Sequence, residues 1–167
     1  MSSNAYIARQ PIVDAKHQLF GYELLFRHSA NAQSARIDND VDAGISVISN
    51  TLMNMGTEWL LKGKMAFVNM EASMLMSSFS TLLPPEKVII EVLETVQVNP
   101  EVLERLAELK QAGYRFALDD YYYLPETEPL LALASYVKLD VLAHSPAELT
   151  NLVRQVRKYP VELVAEK

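Results

Sequence analysis

Six apolar runs along the chain stop, or nearly stop, at an acidic or amide side chain. They are Tyr22-Glu23-Leu24-Leu25-Phe26, Ala66-Phe67-Val68-Asn69, Val88-Ile89-Ile90-Glu91-Val92-Leu93-Glu94, Phe116-Ala117-Leu118-Asp119-Asp120, Val137-Lys138-Leu139-Asp140 and Leu163-Val164-Ala165-Glu166. Strands of a parallel sheet read as short continuous apolar runs, because both of their faces are covered. The pattern predicts strands over 65–70, 88–93, 115–119, 136–141 and 161–165. Between them the spacing turns helical. A helix is expected over 71–83, stopped by Pro84-Pro85. Another runs from Pro100 to Gln111, with Val102, Leu103, Leu106 and Leu109 inward and Gly113 as its stop. A short helix is expected around 129–134, and one capped by Ser145 runs from Pro146 to about Lys158.

The N-terminal part reads differently. Tyr6 to Val13 and Leu19 to Phe26 are strand-like, and the five residues between them are too few for a helical crossover. Those two strands are expected to be antiparallel neighbours. A polar loop over 31–42 and a helix over 41–61, with Ile45, Ile48, Leu52 and Met55 on one face, lead into the alternating units.

Alternating β and α units predict an α/β fold, and here an incomplete TIM-like (β/α) barrel: an antiparallel first strand, one domain over 1–167, and the last β/α unit lacking. The C-terminal strand ends of such a barrel open on one face, where active sites form. The last run reaches Glu166, so an open sheet edge is expected there, inviting self-association or a protein partner.

Charge narrows the chemistry. The formal net charge of −6 argues against a DNA- or RNA-binding surface, which needs clustered Lys and Arg. An acidic protein that handles an anionic substrate must find positive charge elsewhere, most simply in bound cations. With no cysteine, thiolate metal sites and cysteine nucleophiles are excluded. No apolar stretch approaches the roughly 20 residues of a membrane span. Met1-Ser2-Ser3-Asn4 lacks the layout of a signal peptide, so a cytoplasmic protein is expected.

Taken in order, the strand ends resemble those of the EAL family of cyclic di-GMP phosphodiesterases. Tyr22-Glu23-Leu24-Leu25-Phe26-Arg27 looks like the Glu-Ala-Leu-x-Arg motif, with Leu24 for Ala, and Gln10-Pro11-Ile12 like the family's usual start. Val68-Asn69, Glu91 to Glu94, Asp119-Asp120, Val137 to Asp140 and Ala165-Glu166 resemble its later motifs. The details are closest to the EAL half of proteins that also carry an HDOD domain. The resemblance implies Glu23, Asn69, Glu91 and Asp119 as ligands of Mg²⁺ or Mn²⁺, with Asp120 serving a second ion. It implies Lys138 and Glu166 beside the attacking water, Glu94 and Asp140 in support, and Gln10 and Arg27 on the dinucleotide. Oxygen ligands suit those hard cations.

Two departures qualify the activity. Tyr121-Tyr122-Tyr123-Leu124-Pro125 stands where the family has Phe-Gly-Thr-Gly, and Lys167 replaces a glycine. Tyrosine cannot cheaply adopt backbone geometries open to glycine. The expectation is a cyclic di-GMP signalling domain that keeps its ligands but hydrolyses weakly or not at all. The alternatives are an active phosphodiesterase giving linear pGpG and a protein-interaction scaffold without nucleotide binding. Elsewhere the readings are plain. Glu101, Glu104, Arg105, Glu108 and Lys110 form a solvated helix face. Met53, Met55, Met65, Met70, Met74 and Met76 read as core and helix packing rather than an interaction groove. His17, His28 and His144 lie on the surface, and the Tyr121–Tyr123 run is a pocket rim, an interface patch or loop filler.

Overall fold

The computed structural model describes residues 5–14, 16–28 and 61–166, and the side chains of 7–14, 16–25 and 61–166. The helix expected over 41–61 and the loop over 31–42 lie outside the described residues, apart from Leu61. Seven strands form one sheet in chain order: β1 (Ala5–Val13), β2 (Leu19–His28), β3 (Met65–Met70), β4 (Val88–Val92), β5 (Arg115–Leu118), β6 (Tyr136–Asp140) and β7 (Glu162–Glu166). β1 and β2 are antiparallel, and every later pair is parallel. The helices are α1 (Ala72–Met76), α2 (Pro100–Gln111), α3 (Glu128–Leu131) and α4 (Pro146–Val156).

The sheet is curled into part of a barrel. Four strand intervals separate β2 from β6, roughly 19 Å in a flat sheet. Yet the Phe20 ring of β2 lies 5.7 Å from Tyr136 of β6 and 6.1 Å from Phe67 of β3. Only strong curvature brings those rings together. One set of alternate residues therefore faces a barrel interior: Phe67, Ile89, Ala117 and Tyr136, joined by Ile12 and Phe20. The other set, including Val68, Ile90, Phe116, Val137 and Leu139, packs outward on helix residues such as Leu75, Leu106, Leu152 and Val156. This explains why β4 is buried along its whole length.

Gly21 makes the curl possible. A Cβ there would stand 2.8 Å from the Met65 carbonyl oxygen and 3.2 Å from the Phe67 ring. The β1–β2 register shifts beside it, pairing Ile12 with Gly21 but Val13 with Leu19. The extra residue, Phe20, turns its ring inward.

The helix ends follow their sequence signals. Gly113, at φ 96°, closes α2 with its N–H on Lys110 O while the Tyr114 N–H reaches Leu109 O. Ser145 and Glu148 form a reciprocal capping box on α4. One expectation fails in part: residues 71–83 are not one helix but α1 followed by a 3-10 turn over Ser78–Thr81. The break falls at Ser77, which is extended at ψ 168° and whose hydroxyl accepts from the Phe79 N–H. A serine that bonds nearby backbone this way competes with the helix ladder.

Candidate functional site

The interior residues come in tiers. Two positions beyond the apolar tier, hence on the same side of each strand, stand Asn69 above Phe67, Glu91 above Ile89, Asp119 above Ala117, Lys138 above Tyr136 and Glu166 above Val164. Glu23 holds the corresponding place above Gly21. Parallel register sets Asn69 opposite Glu91, and β2 brings Glu23 alongside. The Lys138 ammonium lies among them: 2.6 Å from Asp119 Oδ1, 2.8 Å from Glu91 Oε1, 3.1 Å from Glu166 Oε2 and 3.4 Å from Glu23 Oε2. Asn69 Nδ2 donates to Glu23 Oε1 at 3.2 Å. The structure thus brings together six of the residues singled out in the sequence.

Burial makes this ring electrostatically tense. Glu91 is fully buried and Lys138 nearly so. Loss of water pushes the Glu91 carboxyl up to about 8; Lys138 pulls against that shift, while Glu23 adds to it. Burial alone would lower the Lys138 ammonium, but Glu91 and Asp119 more than offset it and hold it well above its ordinary value. Glu166 is raised too, chiefly by burial, with Lys138 opposing. The neighbouring carboxylates thus favour the charged form of Lys138.

The other predicted residues stand around the ring. Gln10 pairs with Glu23 across the β1–β2 ladder and is exposed. With Glu23, Lys138 and Glu166 it lines a cleft of about 800 Å³ that continues down past Phe20 and Tyr136 beside β7. The Arg27 backbone continues β2, while its side chain lies outside the described residues. Asp120 follows Asp119 in the left-handed region, at φ 39°. The Tyr121 N–H then donates to the Lys138 carbonyl at 3.2 Å, tying this turn to β6. Asp140 ends β6, and its Oδ1 accepts from the N–H groups of Leu142 and Ala143, so it shapes a turn. Glu94 lies two residues past the end of β4 and is exposed.

Several structural roles escape sequence reasoning. Arg105 belongs to the charged run on α2, yet it is not simply solvated. Its Nε donates to Leu75 O and its Nη2 to Ser77 O and Ser80 Oγ, closing the carbonyl end of α1. The tyrosine run splits. Tyr121 is buried with its hydroxyl on Thr127, whereas Tyr122 is half exposed and packs its ring 5.3 Å from that of His144. Thr127 Oγ1 also bonds Tyr122 O and Leu124 N, holding the loop that lacks glycine. Tyr159, after α4, donates to Glu128. Met76 is exposed rather than packed.

The donor set fits a hard divalent cation. Asn69 Oδ1 and Glu91 Oε2 are buried without a hydrogen-bond donor, while Glu91 Oε1 faces the Lys138 ammonium at 2.8 Å. Such oxygens are costly to bury unpaired. The carboxylates are nevertheless arranged around the ammonium, and among the described residues no three acidic or histidine groups form a ready-made cation cage.

This curled sheet, with its oxygen-rich mouth, has the fold of an EAL domain. The phosphodiesterase PaMucR in its c-di-GMP complex matches with a TM-score of 0.74 and 21% identity, over 96% of this chain and 80% of that one. Bacillus subtilis YkuI, a protein with an EAL domain in complex with c-di-GMP and calcium, matches at 0.70 and 19%, over 95% and 47%. Klebsiella pneumoniae BlrP1, a manganese and cy-diGMP complex, matches at 0.63 and 22%, over 96% and 48%. In sequence the chain is 38% identical to Bacillus subtilis YuxH over 168 residues, 97% of this chain and 41% of YuxH. It is 36% identical over 150 residues to the Vibrio cholerae cyclic di-GMP phosphodiesterase CdgJ, 89% of this chain and 34% of CdgJ. The chain thus spans less than half the length of these relatives. No family model matches it. Among the described residues no helix is long and apolar enough to cross a membrane.

Proposed function

We propose that this chain is an EAL-type domain of cyclic di-GMP signalling. In this reading Glu23, Asn69, Glu91 and Asp119 hold Mg²⁺ or Mn²⁺, Asp120 serves a second ion, and Gln10 and Arg27 contact the dinucleotide. Turnover is slow or absent. The observation that carries the reading is the convergence of Glu23, Asn69, Glu91, Asp119, Lys138 and Glu166 from six strand ends, with Asn69 Oδ1 and Glu91 Oε2 left without donors. Bound there, such ions supply charge neutralisation at a phosphodiester and a more acidic water. Glu166, whose affinity for protons is raised by burial, suits the receipt of a proton from that water. The Lys138 ammonium stabilises negative charge beside it.

Slow turnover follows from the loop after Asp119. Asp120 sits in a left-handed conformation, and Tyr121 next to it is buried and tied to Thr127. That loop has no glycine with which to adjust Asp120 toward a second ion, and catalysis tolerates little misplacement. Full phosphodiesterase activity, giving linear pGpG, is the second reading; retention of every ligand type favours it. Incubation with cyclic di-GMP and Mn²⁺ separates them. Binding without linear product supports the first reading, and product formation abolished by Glu23→Ala supports the second. Absence of nucleotide binding overturns both and leaves a protein-interaction scaffold.

A further inference from the structure

We propose that the aromatic ring of Tyr122, backed by His144, is a stacking platform for one base of the cyclic dinucleotide. The proposal rests on the dinucleotide reading above and adds where a base is held. The cluster of Glu23, Glu91, Asp119, Lys138 and Glu166 offers charges, which suit ions and phosphates rather than the flat face of a base. The aromatic side chains beneath it, Phe20, Phe67 and Tyr136, are already packed on one another. A base attached to a phosphate at the mouth therefore has to find its stacking partner on the rim.

Tyr122 stands on that rim. It follows Asp119 by three residues, and the N–H of the intervening Tyr121 is bonded to the Lys138 carbonyl at 3.2 Å. His144 comes from the next loop, four residues past Asp140 at the end of β6. The two rings lie 5.3 Å apart at 58°, so His144 supports one side of Tyr122. Tyr122 is 50% exposed, while Tyr121 is buried and the Tyr123 hydroxyl is bonded to Glu128. The exposed side chain is nonetheless anchored. Thr127 Oγ1 donates to Tyr122 O at 2.9 Å, and Asp140 Oδ1 fixes the turn that leads to His144. An aromatic face already fixed in place loses little freedom when a base settles on it. Leu124 and Leu142, in the same two loops, are exposed as well and add apolar surface there.

Calorimetric titration of the chain with cyclic di-GMP in the presence of Mn²⁺ tests the platform. Tyr122→Ala should weaken nucleotide binding about tenfold or more, whereas Tyr122→Phe keeps it, because stacking uses the ring and not the hydroxyl. Mn²⁺ alone should bind Tyr122→Ala as it binds wild type, since the charged cluster is untouched. In Tyr122→Trp, a base on the ring should quench the new emission when nucleotide is added, against the background of Trp59, the single native tryptophan. If Tyr122→Ala disturbs the loop, seen as a changed Mn²⁺ affinity, this quenching decides. Wild-type nucleotide affinity in Tyr122→Ala, or unquenched emission in Tyr122→Trp, overturns the platform and leaves the nucleotide site standing. Wild-type nucleotide affinity with altered sedimentation in Tyr122→Ala also overturns it and makes the exposed loops a protein contact. Absence of nucleotide binding by the wild-type chain overturns platform and nucleotide reading together.

Discussion

Replacing Glu91 by Gln removes one buried titratable carboxyl at nearly constant volume, and its effect on stability should grow with pH. In the folded chain the Glu91 carboxyl is raised from 4.5 to about 8, first by burial and then by Glu23 and Asp119, against the pull of Lys138. Between those values the unfolded chain has released a proton that the folded chain keeps. Folded protein then binds more protons, so this group's contribution to stability falls as pH rises from about 4.5 to about 8. The slope approaches 1.4 kcal/mol per pH unit in the middle of that window. Glu91→Gln has no such slope. Measured against wild type, the variant should therefore gain on the order of 2–3 kcal/mol between about pH 5.5 and about pH 7.5. Urea denaturation of both proteins at both pH values, in chelator to keep the site free of metal, gives the four free energies required. A difference between variant and wild type that stays constant across the two pH values would show that Glu91 is ionised throughout, and would refute the reasoning.

Gly21→Ala should cost about 1–3 kcal/mol, because the new Cβ meets the Met65 carbonyl, which belongs to the sheet and cannot step aside; a urea midpoint unchanged from wild type would contradict it. Arg105→Met keeps the packing of the stem but withdraws donors from Leu75 O, Ser77 O and Ser80 Oγ, and should cost about 1–3 kcal/mol by the same assay. The outer edges of β1 and β7 are unpaired among the described residues. Sedimentation should accordingly show association that rises with concentration, and a strictly monomeric species would mean those edges are protected.

Much of the fold was legible because parallel strands have a strict phase. In the run from Val88, Ile89 and Glu91 share one face, and Glu94, three residues past Glu91, is out of phase with them and lies beyond the strand's end at Val92. The same counting puts Asp119, not Asp120, in line with Ala117, and Lys138 in line with Tyr136. Curvature was not legible from any single strand; it emerges only when Phe20, Phe67 and Tyr136 meet. Nor could sequence assign Arg105, whose partners lie 25 to 30 residues earlier in the chain and belong to a helix that ends sooner than its spacing suggests. The tyrosine run resisted for a related reason. Beyond the strand end no periodicity applies, and one side chain is buried while the next is exposed because Thr127 captures the first.

The four ion pairs of Lys138 have a mechanical meaning as well. Among the described residues no backbone ladder joins β7 to β1, and a side chain of β6 that grips groups on β2, β4 and β7 and just past β5 acts as a drawstring across the bend. Without that grip the roll of the rim would rest on strand pairing and the packed interior tier alone.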